Sequence, residues 1–94
     1  MVQIPERMPK LTARQEEVLR FYAEYFLRHR DWPTQREAAE NLEIASTNVQ
    51  PFVRPLLEKG YVQKLAQNTR RNYELTTKGW EKAQQLGVDV RQAS

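Results

Sequence analysis

The sequence predicts a mainly α-helical domain with a small β-hairpin: a three-helix core, a two-stranded hairpin and one C-terminal helix. Apolar residues recur at helical spacing up to Leu57, and the spacing becomes that of strands after Gly60. With 94 residues, 39% of them hydrophobic, the chain suits one compact domain with a modest core. We expect an N-terminal arm over 1–10, the domain over 11–86 and a flexible tail over 87–94.

The first helix is predicted from residue 12 to residue 29 or 30. Thr12 and Gln15 have the spacing of a capping box, in which each side chain bonds the backbone amide of the other residue. Pro33 separates this helix from the next, because a proline disfavours helical geometry in the residue before it. Aromatic and aliphatic residues behind the box are predicted to fill the core: Val18, Leu19, Tyr22, Tyr25 and Phe26. Phe52 and Tyr73, later in the chain, are predicted to join them.

A helix-turn-helix is predicted next. Thr34 and Glu37 form a second capping box at the start of a short helix through Leu42, and residues 43–45 form a tight turn. The third helix is predicted over 46–59, with Ser46 or Thr47 as its N-cap and Gly60 just beyond its end. Its apolar residues share one face: Val49, Val53, Leu56 and Leu57.

The chain after Gly60 is predicted to form a hairpin and a last helix. Residues 61–65 and 72–75 read as strands, and the polar, basic segment 66–71 joins them. In a helix-turn-helix protein such a hairpin is a wing. The last helix follows from Thr76 and runs to Leu86.

This order of elements resembles the winged helix-turn-helix repressors. Residues 11–15, 17–19 and 33–34 look like the N-terminal DNA-binding domain of the LexA repressor, whereas residues 56–62 and 73–79 are similar to the MarR-type regulators. The resemblance implies double-stranded DNA as the partner. It also implies that the third helix enters the major groove.

The exposed side of the third helix holds the candidates for reading bases. When Val53 is placed at the centre of the buried side, Asn48 and Arg54 fall on the opposite side. Asn, Gln and Arg have the geometry to bond base edges, and Thr and Pro can contact the thymine methyl group. The candidates for base or groove contact are Ser46, Thr47, Asn48, Gln50, Pro51 and Arg54.

A second set of residues is predicted to contact the DNA backbone or the minor groove. Arg70 and Arg71 are predicted at the tip of the wing, and the start of the second helix offers backbone amides beside Arg36. The full set is Arg14, Thr34, Arg36, Lys64, Asn68, Arg70 and Arg71.

Pro51 and Pro55 bear on whether the third helix reads DNA. Pro51 costs little if the helix effectively starts at Asn48, but Pro55 falls inside and is expected to kink or loosen it. The net charge of +3 is mild, and Glu58 lies near the exposed face. These features favour the alternative function, a winged-helix protein-interaction module without DNA readout.

The leading hypothesis is therefore a sequence-specific DNA-binding regulator of the repressor kind. We expect a homodimer, joined through the last helix with Trp80 and through parts of the first helix or the arm. The sequence has no cysteine, one histidine and no phosphate-cradling glycine loop, so we expect no enzyme activity, cofactor or metal. No apolar run reaches the roughly 18 residues of a membrane span, and a cytoplasmic protein is expected.

Overall fold

The computed structural model describes residues 10–45, 48–65 and 71–90. These residues form α1 (Ala13–His29), α2 (Gln35–Asn41), α3 (Gln50–Glu58), β1 (Val62–Lys64), β2 (Tyr73–Leu75) and α4 (Thr77–Gln85). The two strands pair antiparallel. Because α2 and α3 form a helix-turn-helix and the strands form its wing, the predicted winged helix-turn-helix fold is confirmed.

Both predicted capping boxes form. The Thr12 hydroxyl accepts from the Gln15 amide, and the Gln15 side chain accepts from the Thr12 amide, each at 3.1 Å. Thr34 and Glu37 repeat this arrangement at the start of α2, at 3.0 and 2.9 Å. Since a box joins residues three positions apart, the local sequence specifies it.

The third helix begins later than predicted. α3 starts at Gln50 with Val49 at the N-cap position, so the predicted cap by Ser46 or Thr47 and the start at residue 46 are wrong. A cap at Thr47 would place Pro51 fourth in the helix, where its amide would have to donate; the observed start places it second, where no donor is needed. The side chains of residues 46 and 47 lie outside the described part.

Pro55 lies inside α3 without ending it. The helix continues to Glu58, and the Lys59 amide donates to the Pro55 carbonyl at 3.0 Å. The amide that proline lacks would have paired with the carbonyl of Pro51, so one hydrogen bond of the helix is missing.

The hairpin turns Val62, Tyr73 and Leu75 into the core. Val62 pairs with Leu75, and Lys64 with Tyr73. Between these pairs, Gln63 and Glu74 join their side chains at 2.8 Å on the outer face.

The core lies between α1, α3, the hairpin and α4. Tyr22 and Tyr73 are buried as predicted, but Tyr25, Phe26 and Phe52 are half-buried because they lie at the rim. The Phe26 ring stacks on Trp32 with centroids 4.4 Å apart and meets Trp80 edge-on at 5.9 Å. These three rings close the core on the side of α4.

The buried core extends beyond the predicted domain end. Val88 is 6% exposed, and its amide donates to the Ala83 carbonyl at 3.0 Å. Gly87, in the left-handed region at φ 102°, turns the chain back towards α4. The predicted flexible tail over 87–94 is therefore wrong at Val88, which belongs to the domain; residues 1–9 and 91–94 lie outside the described part.

Candidate nucleic-acid interface

The exposed face of α3 is built from residues three and four positions apart. Val49, Val53 and Leu56 are buried against the core. Pro51, Arg54 and Glu58 are exposed on the other side. Such a face is the part of a helix that a DNA major groove can admit.

Asn48 has a local role at the start of this helix. Its side-chain oxygen accepts from the Gln50 amide at 3.1 Å, which satisfies one of the first amides of α3. Asn48 is exposed and Gln50 is half-buried. The predicted base contact by Asn48 would use a side chain that already orders the helix start.

Arg54, exposed on α3, lies near Tyr73 of the hairpin. Burial raises the pKa of the Tyr73 hydroxyl above its ordinary value, and the nearby Arg54 guanidinium opposes that rise. Lys64 is the cross-strand partner of Tyr73 and is exposed. Exposed residues therefore lie on both elements: Asn48, Pro51 and Arg54 at α3, and Lys64 on the hairpin.

Arg14 is engaged inside the protein. Its guanidinium donates to the Leu42 carbonyl at 2.9 Å and to Glu17 Oε1 at 3.0 Å. It also lies over the Phe52 ring, 5.3 Å from the centroid. Because Leu42 ends α2 and Phe52 is in the first turn of α3, Arg14 connects both helices of the helix-turn-helix to α1.

Arg71 lies at the end of the segment that joins the two strands, just before β2. The Leu65 amide donates to the Asn72 carbonyl at 2.8 Å, so Arg71 directly precedes the paired part of the hairpin. Its guanidinium donates to the Trp32 carbonyl and lies 3.3 Å from Asp31 Oδ2 and 3.5 Å from Glu37 Oε1.

Arg36 and Thr34 stand at the start of α2. Arg36 has a side chain that is 79% exposed and lies 3.9 Å from the Glu40 carboxylate. Thr34 and Glu37 use their side chains in the capping box. A phosphate at this helix start would therefore rely on the Arg36 side chain.

Four of the predicted contacts, Ser46, Thr47, Asn68 and Arg70, lie outside the described residues. Within the described ranges, we find no group of three His, Cys, Asp or Glu side chains that could hold a metal ion. No described helix is long and apolar enough to cross a membrane.

Sequence reasoning missed the contacts of Arg71 with Asp31, Trp32 and Glu37. The Tyr25 hydroxyl also donates to Glu37 Oε1, at 2.8 Å. Hydrogen bonds from the Thr34 backbone and then from Tyr25, with the charge of Arg71, hold the pKa of Glu37 below its ordinary value. The capping box identified Glu37, but nothing local pointed to a partner 34 residues later.

The second helix of the helix-turn-helix has an exposed face, and a hairpin with an exposed lysine follows it. This is the architecture of the winged-helix DNA-binding domains. The family model described as the LexA DNA binding domain matches residues 8–71, more than half of the chain. The chain belongs to this family, which confirms the resemblance to the LexA repressor. No curated protein matches the sequence.

Proposed function

We propose that this protein is a sequence-specific double-stranded DNA-binding regulator that represses transcription by occupying an operator. One observation carries the proposal: in a chain of the LexA DNA-binding family, α3 exposes Arg54 beside the hairpin that carries Lys64. A helix and a wing with cations next to each other suit a duplex, whose grooves and phosphates alternate along one face.

In this proposal α3 enters the major groove. Arg54 can bond guanine bidentately, and Asn48 can bond adenine, which distinguishes these bases from the others. Gln50 and Pro51 also contact the groove in this proposal. Ser46 and Thr47, which precede α3 in sequence, do so as well. Asn68 and Arg70 of the wing segment meet the backbone or the minor groove.

The proposal includes a homodimer. α3 has nine residues and covers few base pairs, so two copies on a two-fold site supply the affinity that one lacks. Leu27 and Trp80 line a shallow groove between α1 and α4, with Val90 beside them. Self-association through this groove would place the two copies of α4 at the interface.

A salt-dependent binding assay tests the proposal. Duplexes selected from a random pool are labelled, and fluorescence anisotropy is measured as salt rises from about 0.05 to about 0.2 M. We expect tight binding to the selected duplex, weaker binding to random duplex and a fall in both affinities with salt. The absence of binding to any duplex would favour the protein-interaction module, which the exposed Glu58 on α3 supports.

A further inference from the structure

Arg71 contacts acceptors in two neighbouring parts of the chain, both of them remote from Arg71 in sequence. The Trp32 carbonyl and Asp31 belong to the connection between α1 and α2, and Glu37 belongs to the first turn of α2. The Arg71 side chain is 29% exposed. The planar guanidinium, with five donors in a fixed fork, can meet several acceptors in a way that an ammonium cannot.

Glu37 has three uses at this point. It completes the capping box with Thr34, accepts from the Tyr25 hydroxyl at 2.8 Å and lies 3.5 Å from Arg71. The start of the helix-turn-helix, the middle of α1 and the loop end of the hairpin strands therefore meet at one carboxylate.

The formal charge of this cluster argues against a phosphate ligand. Asp31 and Glu37 carry two negative charges against the single positive charge of Arg71. A phosphate that approached Arg71 would meet both carboxylates, and the Nε and Nη1 donors of Arg71 already face acceptors within the protein.

The hairpin needs an anchor of this kind. Its strands have three residues each, and a two-stranded hairpin of that length is marginal in water unless it packs on something else. Val62, Tyr73 and Leu75 fix its inner face. Arg71 fixes the loop end of the paired strands, just before β2, next to the start of α2.

We propose that Arg71 is a positioning residue that fixes the wing relative to the helix-turn-helix, and that it does not bind phosphate. The consequence for DNA readout rests on the proposed function; the positioning itself does not. With Arg71 in place, the wing and α3 meet a duplex at a set separation. Without Arg71, part of the binding free energy is used to order the hairpin, and the affinity falls.

The test compares Arg71→Lys, Arg71→Gln and Glu37→Gln with the wild type, without and with DNA. Arg71→Lys keeps the charge but loses the fork. Glu37→Gln removes the charge that faces Arg71 yet keeps a residue that can complete a capping box, as Gln15 does in α1. Lys64→Gln is the matched control for the measurement without DNA, because it removes one exposed cation from the same hairpin. Far-UV circular dichroism checks that each variant is folded.

Without DNA, hydrogen exchange of the Leu65 amide reports the loop end of the paired strands directly. We expect its protection to fall on the order of tenfold in both Arg71 variants and in Glu37→Gln, and to stay unchanged in Lys64→Gln. Unchanged protection in the Arg71 variants would overturn the proposal.

With the selected duplex, we expect Arg71→Lys to bind about as weakly as Arg71→Gln, roughly tenfold below the wild type. Glu37→Gln should weaken binding too, although it removes a negative charge, and combining it with Arg71→Gln should add little. Wild-type affinity in Arg71→Lys, or tighter binding by Glu37→Gln, would show a phosphate contact and contradict the proposal. If the wild type binds no duplex, the proposed function fails, and the Leu65 exchange still decides whether Arg71 positions the wing.

Discussion

At the scale of single residues, the arginines of this protein differ in how many acceptors within the protein they meet. Arg71 meets the Trp32 carbonyl and the carboxylates of Asp31 and Glu37, and Arg14 meets the Leu42 carbonyl and the Glu17 carboxylate. Arg54 is exposed on α3. Each internal acceptor competes with a phosphate or a base, so we expect DNA contact from Arg54 and positioning from Arg71.

Asn48 combines a structural contact with a predicted base contact, and two substitutions separate them. Asn48→Ala removes the acceptor for the Gln50 amide and should destabilise the domain by about 1 kcal/mol. Asn48→Ser keeps an acceptor, so its stability should stay near that of the wild type. Both variants lack the amide group and should lose preference for the selected duplex. Urea unfolding and anisotropy measure the two effects; full preference in Asn48→Ser would limit Asn48 to its structural role.

Residue types alone could not predict these assignments. Sequence reasoning treated Arg14 and Arg71 as cations that reach DNA, because the backbone carbonyls that they bond are not near them in sequence. The Leu42 carbonyl lies 28 positions from Arg14, and the Trp32 carbonyl lies 39 positions from Arg71. Only the tertiary fold brings such pairs together.

At the scale of elements, α4 packs on the start of the hairpin through Gly79. A Cβ built on Gly79 would lie 2.0 Å from the Tyr61 carbonyl oxygen and 3.2 Å from Leu75 Cγ. The Thr76 hydroxyl, at the N-cap of α4, donates to the Gly60 carbonyl at 2.6 Å. This bond also holds the start of α4 against the start of the hairpin.

Gly79→Ala should therefore destabilise the domain, although alanine favours helices. Overpacking against backbone costs about 1–3 kcal/mol, which exceeds the gain of about 1 kcal/mol in helix propensity. Urea unfolding measures the difference, with Glu81→Ala, exposed on the same helix, as the control. A Gly79→Ala variant more stable than the wild type would show that α4 can move away from Tyr61.

The start of α2 should confer a pH dependence on stability. The pKa of Glu37 is lowered in the folded protein below its ordinary value of 4.5. The stability that the ionised carboxylate adds is therefore fully present above pH 4.5, and it is lost as the pH falls through the lower folded pKa. The stability difference between wild type and Glu37→Gln should shrink as the pH drops from about 6 to about 3. Urea titrations at several pH values measure it, and a difference that stays constant with pH would contradict the assignment.

Elements were predictable where the signal is local. The capping boxes of α1 and α2 follow from residues three positions apart, and both form. The start of α3 was predicted from the preference of Ser and Thr for N-caps, but the tolerance for Pro51 in the first helical turn prevailed. Val88 shows a third case, because a lone valine after Gly87 gives no periodic signal.

At the scale of the whole molecule, the proposed homodimer can be tested without DNA. The exposed Gln84 lines the groove between α1 and α4. Gln84→Glu would bring two like charges close together across a two-fold interface and should shift the protein from dimer to monomer. Sedimentation at micromolar concentration measures this, with Gln85→Glu on the same helix as the control. A wild type that sediments as a monomer, with or without DNA, would contradict the dimer.

The central claim is that α3 reads base sequence through Arg54, and one comparison tests it most directly. Fluorescence anisotropy is measured for Arg54→Ala and for Arg28→Ala, which removes an exposed arginine from α1, on the selected and the random duplex. We predict that Arg54→Ala loses about 1–3 kcal/mol on the selected duplex and little on the random one, whereas Arg28→Ala resembles the wild type on both. Equal affinities of the wild type and both variants for the two duplexes would contradict the claim.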